Sequence, residues 1–430
     1  MIESDGILNQ ETLPLTGPIK VHRTTFQNGL RLLVIEDHTS PTFAYQTWYN
    51  VGSRDEMPGR TGLAHLFEHM MFKETKNLRE GEFDRLLEGA GAEGENAFTN
   101  RDYTAYIQEL PKDKLELIIK AEAERMVNLI ITEKAFAMER EVVQNERRFR
   151  NENNPDGLMY QELFDLSFKK HPYHWPVIGY QKDLSAMTAE DALKFYHAHY
   201  NPNHATLAVI GDVDNEEVRS LVQKYYGEFQ GAAASVHKIS PEPLQTAPRQ
   251  KKLKLNIQVQ KLLVGYHIPA VQHEDIPALA VAQAVLTLGN SSRLHRSLVD
   301  SGISSSVDSD LLEEKDPSLF VISTNLQQKK SATEAEKVIL TELDQLSAKA
   351  LGQSELIRAK NKINFSFYQG LESNFQKAYF LGVYETIAGD FAAGVSLQKR
   401  INDVAAIDVQ RVVKKYLNKK YRNVIFGVQK

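Results

Sequence analysis

R-T-G-L-A-H-L-F-E-H-M-M-F-K, residues 60–73, carries the strongest local signal in the chain. Its apolar residues recur at spacings of three and four, which predicts a helix with one buried face. His65, Glu68 and His69 stand at positions i, i+3 and i+4 of that helix, so their side chains point the same way. Two imidazoles one turn apart can hold one metal ion, with a carboxylate beside it. The stretch therefore predicts a metal site of the H-x-x-E-H type.

The same three residues would also fit an ordinary polar helix face that happens to contain two histidines. The apolar surroundings favour the metal site, because burying two imidazoles and a carboxylate without partners is costly. The chain contains no cysteine. Any zinc ion must therefore be held by histidines and carboxylates.

Composition narrows the class of protein. The chain has 430 residues, 42% of them hydrophobic, which is enough for two or more domains with their own cores. A formal net charge of -5 and a pI near 6.3 give no sign of nucleic-acid binding. No apolar run approaches the roughly 20 residues that a membrane span needs. The N-terminus, as written, lacks a signal peptide, which indicates the cytoplasm, or the periplasm if that end is processed or trimmed.

The order of predicted elements repeats along the chain. Residues 231–250 are rich in Ala, Ser and Pro and predict a linker. Strands followed by long helices occur on both sides of it, which indicates a duplicated α+β unit. We therefore predict two homologous domains, 18–230 and 251–430, each an antiparallel-rich sheet with helices packed on it. The second domain has no H-x-x-E-H, so only the first can carry this metal chemistry.

A catalytic zinc site usually has three protein ligands, so a third is expected. The acidic stretch 132–151 offers Glu139, Glu141 and Glu146. Glu139 and Glu146 are seven residues apart and share one face of a helix. The spacing fits an ordinary charged surface helix equally well, and it does not indicate which of the three glutamates would be the ligand.

The sequence resembles the insulinase/pitrilysin family of inverted-zincin metallopeptidases. It is most similar to the short-chain group that includes the β subunit of mitochondrial processing peptidase. The resemblance covers nearly the whole chain. The stretches that carry it are G-S-R-D-E (52–56), G-L-A-H-L-F-E-H-M-M-F-K (62–73), E-N-A-F-T-N-R-D-Y-T-A-Y (95–106), E-R-E-V-V-Q-N-E (139–146), H-P-Y-H-W-P-V-I-G (171–179) and Y-N-P-N-H-A-T-L-A-V-I-G-D-V (200–213).

The resemblance implies a role for each matching site residue. His65, His69 and Glu146 match the zinc ligands, which implies one zinc ion per chain, and Glu68 matches the general base. Between His69 and Glu146 lie 76 residues, a spacing the family uses. Glu139 matches an acidic residue that orients the site. The implied activity is that of a zinc metalloendopeptidase, in which Glu68 takes a proton from water and passes it to the leaving amine.

The resemblance also implies where a peptide substrate binds. Asn96, Ala97, Phe98 and Thr99 match the edge strand to which family members add an extended substrate. Pairing through main-chain hydrogen bonds explains a broad tolerance of substrate sequence. The alternative is simply a strand near a sheet edge. The expected substrates are extended or unfolded peptides.

One part of the family pattern is missing. Active members carry an Arg and a Tyr, seven residues apart, after a stretch like Ser291–Leu298. Here Val299 stands in place of the Arg, and serines occupy the region of the Tyr. The chain is either a degenerate, poorly active member or one half of a heterodimer whose homologous partner carries the pair. The intact H-x-x-E-H with Glu146 favours the heterodimer, in preference to a homodimer. A non-catalytic structural or peptide-binding subunit of a larger complex is the alternative.

Overall fold

The computed structural model describes residues 6–231 and 239–430, and both strands and helices extend through it. The strands are β1 (Ile7–Thr16), β2 (Ile19–Phe26), β3 (Arg31–Glu36), β4 (Thr42–Tyr49), β5 (Glu93–Thr99), β6 (Thr104–Pro111), β7 (Ala205–Gly211), β8 (Arg249–Leu255), β9 (Lys261–Ile268), β10 (Ser304–Leu311), β11 (Ser318–Leu326) and β12 (Arg422–Gln429). The α-helices are α1 (Leu63–Met70), α2 (Glu82–Ala90), α3 (Leu115–Asn128), α4 (Glu133–Arg147), α5 (Pro155–Ser167), α6 (Gln181–Ala186), α7 (Ala189–His199), α8 (Asn215–Tyr226), α9 (Ile276–Thr287), α10 (Ala332–Ala348), α11 (Gln353–Gln369), α12 (Asn374–Ile387), α13 (Ala392–Asp403) and α14 (Ala406–Tyr416). A π-helical segment at Arg148–Glu152 follows α4, and another at His295–Asp300 precedes β10.

Several helices begin where local side chains satisfy their first backbone N–H groups. Thr188 and Asp191 form a capping box at the start of α7, as their spacing predicts. The Asp214 carboxylate accepts hydrogen bonds from the first turn of α8, and Asn154 does the same before Pro155 at α5. Of the helices in residues 6–231 and 239–430, none has the length and apolar character that crossing a membrane demands.

The described chain divides into two compact units. Unit 1 comprises residues 6–145, 176–231 and 370–395. Its seven-stranded sheet has the order β1-β2-β3-β7-β4-β6-β5. The β3–β7 pair is parallel and the other pairs are antiparallel. β5 therefore lies at one edge of this sheet, beside the helix that carries the H-x-x-E-H residues.

Helix α12 packs on the centre of the unit 1 sheet, against β4 and β7. Gly382 permits this close approach, because a Cβ atom there would collide with the indole ring of Trp48. The Glu385 carboxylate is 1% exposed and accepts a hydrogen bond from Arg31 at 3.0 Å. A helix that comes late in the sequence is thus an integral part of the first sheet's core.

Unit 2 comprises residues 146–175, 239–369 and 396–430. Its five-stranded sheet has the order β10-β11-β9-β12-β8, with β12 and β8 parallel. Helix α5 packs on this sheet, where Leu163 lies over Gly265 and Met159 lies over Gly427. An early helix therefore belongs to the second unit.

The two sheets share one topology. β3-β7-β4-β6-β5 and β8-β12-β9-β11-β10 follow the same order, with the parallel pair at the same place. This confirms two homologous α+β domains with antiparallel-rich sheets.

The compact units do not follow the linear division of the sequence. α5 lies in the first half of the sequence but belongs to unit 2, and α12 lies in the second half but belongs to unit 1. β1 extends the first sheet back to Ile7, before the predicted domain start at residue 18. β8 already begins within the predicted linker, at Arg249. Residues 232–238 of that linker lie outside the described residues. The domain boundaries at 18–230 and 251–430 stay a prediction about the two sequence copies.

Candidate metal centre

Helix α1 has a tightly specified start. Gly62 precedes it with a φ of 91°, a conformation that favours glycine. The Glu56 carboxylate accepts hydrogen bonds from the N–H groups of Gly62 and Ala64, at 2.9 and 2.8 Å. These donors would otherwise lack partners at a buried helix end. A Cβ atom on Gly62 would lie 2.5 Å from the carbonyl oxygen of Ile178, so only glycine fits here.

The back face of α1 packs into the core of unit 1. The ring centroid of Phe67 is 4.3 Å from that of Tyr200 and 5.5 Å from that of Tyr196. Leu66 and Met70 are fully buried on the same helix. Because this packing fixes the rotation of α1 about its axis, the opposite side must present His65, Glu68 and His69 together.

The structure brings these three side chains into one cluster. His65 and Glu68 are each 8% exposed, and His69 is partly buried. One nitrogen of each ring and one carboxylate oxygen lie within 4.8 Å of one another. Zinc bonds to imidazole nitrogen are about 2.0–2.1 Å long, so two nitrogens this close can reach one ion with the carboxylate beside it. Neutral imidazoles with a carboxylate are a donor set that suits zinc, and the residues fit it.

Glu139 of α4 lies directly behind His69. Its Oε1 is 2.9 Å from Nδ1 of His69, and its Oε2 is 2.8 Å from Nζ of Lys73. Burial alone would raise the pKa of Glu139, but the hydrogen bonds from His69 and Lys73 outweigh it and hold that pKa below its ordinary value. An ionised Glu139 favours the His69 tautomer with a proton on Nδ1, which leaves Nε2 available to a metal.

Lys73 is a residue that the motif contained but to which sequence reasoning gave no role. Besides Glu139, its Nζ contacts the Glu80 carboxylate at 3.1 Å. The two carboxylates raise the pKa of Lys73 against the opposing effect of burial. Its position four residues after His69 was the available signal, because the predicted helix over residues 60–73 would have placed it beside His69, although α1 ends at Met70.

Glu146 lies in the last turn of α4, seven residues beyond Glu139. Its side chain is 18% exposed and pairs with Arg150 at 3.0 Å. Arg150 is 69% exposed, and such surface pairs contribute little stability. Glu141 is exposed on the same helix. Glu146 belongs to unit 2, and its role as zinc ligand stays a prediction.

The predicted substrate strand is β5, and its side chains alternate between two faces. Phe98 packs on one face, with its ring centroid 5.6 Å from Trp48 and 5.8 Å from Tyr379 of α12. Thr99 points to the other face, where its hydroxyl donates a hydrogen bond to Glu68 at 2.5 Å. Asn96 and Ala97 pair with β6 opposite Ile107 and Tyr106. Substrate binding by Asn96, Ala97, Phe98 and Thr99 stays a prediction. The side chains of Phe98 and Thr99 make the contacts described above, which leaves their main-chain groups for a substrate.

Val299 and the serines that stand where the resemblance predicts an Arg and a Tyr lie in unit 2. Val299 is in the π-helical segment His295–Asp300, and Ser304 begins β10. β10 has the same place in its sheet that β5 has in the other.

Comparison with known proteins agrees with this fold. Residues 31–179 match the family model described as Insulinase (Peptidase family M16), and residues 186–363 match the model described as Peptidase M16 inactive domain. The chain is 30% identical over 415 residues to the zinc protease PqqE of Helicobacter pylori, covering 95% of this chain and 92% of that protein. It is 26% identical over 397 residues to the uncharacterized zinc protease YmxG of Bacillus subtilis, covering 91% and 94%.

Solved structures of similar fold include a protease and a peptidase domain. A protease from Helicobacter pylori superposes with a TM-score of 0.91 at 30% identity, covering 95% of this chain and all of that one. A peptidase M16 inactive domain from Pseudomonas fluorescens shares the fold, with a TM-score of 0.86 at 17% identity. The chain belongs to the insulinase family, peptidase family M16, and within it to the short chains. Its relatives are named zinc proteases.

Proposed function

We propose that this chain is the zinc-bearing subunit of a metalloendopeptidase that hydrolyses extended or unfolded peptides. His65, His69 and Glu146 hold the metal, and Glu68 is the general base. The observation that carries this proposal is the His65–Glu68–His69 cluster, with His65 and Glu68 buried and Glu139 hydrogen-bonded behind His69. Two imidazoles with a carboxylate beside them on one helix face are a donor pattern that suits zinc.

Glu68 performs the proton transfers. A bound zinc ion would lower the pKa of a water molecule and polarise the scissile carbonyl. The Glu68 carboxylate, buried beside the two imidazoles, would take a proton from the attacking water and pass it to the amine nitrogen as the peptide C–N bond breaks. Glu139 holds His69 in one tautomer and orientation throughout.

The edge strand β5 holds the substrate. Within the described strands it pairs on one side only, with β6. An extended peptide adds to its open side through main-chain hydrogen bonds, so that recognition depends little on substrate side chains.

A partner chain completes the site. Val299 replaces the Arg that active family members use, so a homologous chain that supplies an Arg and a Tyr is required. The test is to purify the chain alone and together with such a sister chain from its native source, and to assay unstructured peptides. Cleavage is expected only with the partner. Robust cleavage by the chain alone would refute the need for it.

A non-catalytic subunit is the second candidate, because residues 186–363 match a domain described as inactive. Two substitutions separate the candidates. Glu68→Gln is expected to keep zinc and abolish turnover, and Glu146→Gln is expected to lose zinc, with Glu141→Gln on the exposed side of α4 as the matched control. Sub-stoichiometric zinc in the native protein, unchanged by Glu146→Gln, would favour the non-catalytic subunit.

A further inference from the structure

The Glu68 carboxylate is tied to the end of the edge strand β5. Thr99 is the last residue of that strand, and its Oγ1 donates a hydrogen bond of 2.5 Å to Oε2 of Glu68. This is the length of a strong hydrogen bond between a hydroxyl and an ionised carboxylate. Glu68 is itself 8% exposed, so bulk water competes poorly for the same oxygen.

The hydroxyl of Thr104 also lies close to that of Thr99. Thr104 lies directly across from Thr99 in the β5–β6 pair. Its hydroxyl donates to the carbonyl oxygen of Val51 at 3.0 Å and lies 3.4 Å from the Thr99 hydroxyl. Each hydroxyl has a single proton, and an ionised carboxylate can only accept. The Thr99 proton is therefore directed to Glu68.

Glu68 has two incompatible roles open to it. Its carboxylate lies close enough to the nitrogens of His65 and His69 to join them around one metal ion. A carboxylate that bound the metal would no longer be a free base for a water molecule. Something must therefore hold Glu68 beside the metal without letting it coordinate.

We propose that Thr99 is the positioning residue that holds Glu68 in the role of base and out of the role of ligand. The inference rests on the proposed function for the identity of the base. It assigns the Thr99 side chain to the catalytic carboxylate instead of to substrate. It also links the two parts of the site, because a peptide that pairs along β5 would order the residue that orients Glu68.

The experiment compares Thr99→Val, which keeps the shape and removes the hydroxyl, with Thr99→Ser, which keeps the hydroxyl. Each protein is loaded with cobalt(II), whose visible absorption reports its ligands, and the zinc affinity is measured by competition with a chelator. Thr99→Val is expected to change the cobalt spectrum and to bind zinc at least as tightly as the wild type, since Glu68 loses the hydrogen bond that holds it away from the metal. Thr99→Ser is expected to keep the wild-type spectrum.

A double substitution identifies the group that moves. In a Glu68→Gln background the effect of Thr99→Val on the spectrum is expected to vanish, because the amide is a poor metal ligand. In peptide cleavage by the full assembly, Thr99→Val is expected to lower kcat by about 10- to 100-fold with KM unchanged, which is the usual effect of losing a group that supports a metal site.

The possible results separate the two proposals. An unchanged spectrum in Thr99→Val, equal damage in Thr99→Ser, or weakened zinc binding in Thr99→Val would overturn the role of Thr99. A raised KM with unchanged kcat would show that Thr99 binds substrate. If the spectral changes occur as expected but no assembly cleaves peptides, the proposed function fails while the positioning by Thr99 stands.

Discussion

Lys377 and Asp37 form an ion pair with an Nζ–Oδ2 distance of 2.7 Å, although they are 340 residues apart in the sequence. The Lys377 side chain is 7% exposed and that of Asp37 is 20% exposed. Lys377 lies in α12, the late helix that packs on the sheet of unit 1. This contact therefore helps to keep a helix of the second sequence copy in the core of the first unit.

Replacing Asp37 with Asn is expected to destabilise the protein in a pH-dependent way. The hydrogen bonds from Lys377 and Thr39 lower the pKa of Asp37 to about 2. Because an unfolded Asp has a pKa of about 3.9, the ion pair stabilises the fold above that pH, and the stabilisation is lost as the pH falls towards 2. At neutral pH the loss should be on the order of 2 kcal/mol, measured by urea unfolding across a pH series.

Asp113→Asn is the control for this measurement. Asp113 pairs with Lys114 at 2.7 Å, but its side chain is 65% exposed. Exposed pairs of this kind contribute little to stability, so the unfolding free energy should hardly change. Equal effects of the two substitutions would contradict the role assigned to burial of the Asp37–Lys377 pair.

Replacing Glu139 with Gln is expected to weaken zinc binding by about 10- to 100-fold, as the loss of a hydrogen-bond partner behind a metal-binding His usually does. The amide cannot provide the charge that both His69 and Lys73 contact. Competition with a chromophoric chelator measures the affinity. Glu141→Gln removes a carboxylate from the exposed side of the same helix and should leave the affinity unchanged. Unaltered affinity in Glu139→Gln would show that His69 needs no such support.

Replacing Gly62 with Ala is expected to destabilise the protein more than replacing Gly81. Both glycines precede a helix with a positive φ, 91° at Gly62 and 73° at Gly81. That conformation alone costs an alanine about 1–2 kcal/mol. At Gly81 a Cβ meets nothing within 4 Å, whereas at Gly62 it would lie 2.5 Å from the Ile178 carbonyl oxygen. Equal losses in unfolding free energy would mean that the loop at Ile178 moves aside freely.

Removing the metal is expected to lower the thermal midpoint of the wild-type protein. A ligand that binds only the folded state adds about 2.7 kcal/mol to the free energy of unfolding when present at 100 times its Kd, and a chelator removes this contribution. His69→Ala should show no chelator effect, because it lacks one of the two imidazoles in the cluster. A chelator effect of the same size in both proteins would place the bound metal elsewhere.

Local spacing was enough to predict much of this protein. The three- and four-residue periodicity of residues 60–73 placed His65, Glu68 and His69 on one helix face, and Thr188 with Asp191 marked the start of α7. The repeated order of elements indicated the duplication that the two sheets confirm. Such features depend on residues within one or two turns of each other, or on the order of whole elements, both of which the sequence carries directly.

Other features depended on tertiary structure. The contact of Lys73 with Glu139, the hydrogen bond of Thr99 to Glu68 and the Asp37–Lys377 pair each join segments far apart in the sequence. β1 is an edge strand that is largely exposed, and its pairing with β2 is what identifies it. The sequence by itself determined which chemistry one helix can present. The tertiary structure decided which distant side chains orient that chemistry, because long-range contacts follow from how sheets and helices pack and leave no local pattern.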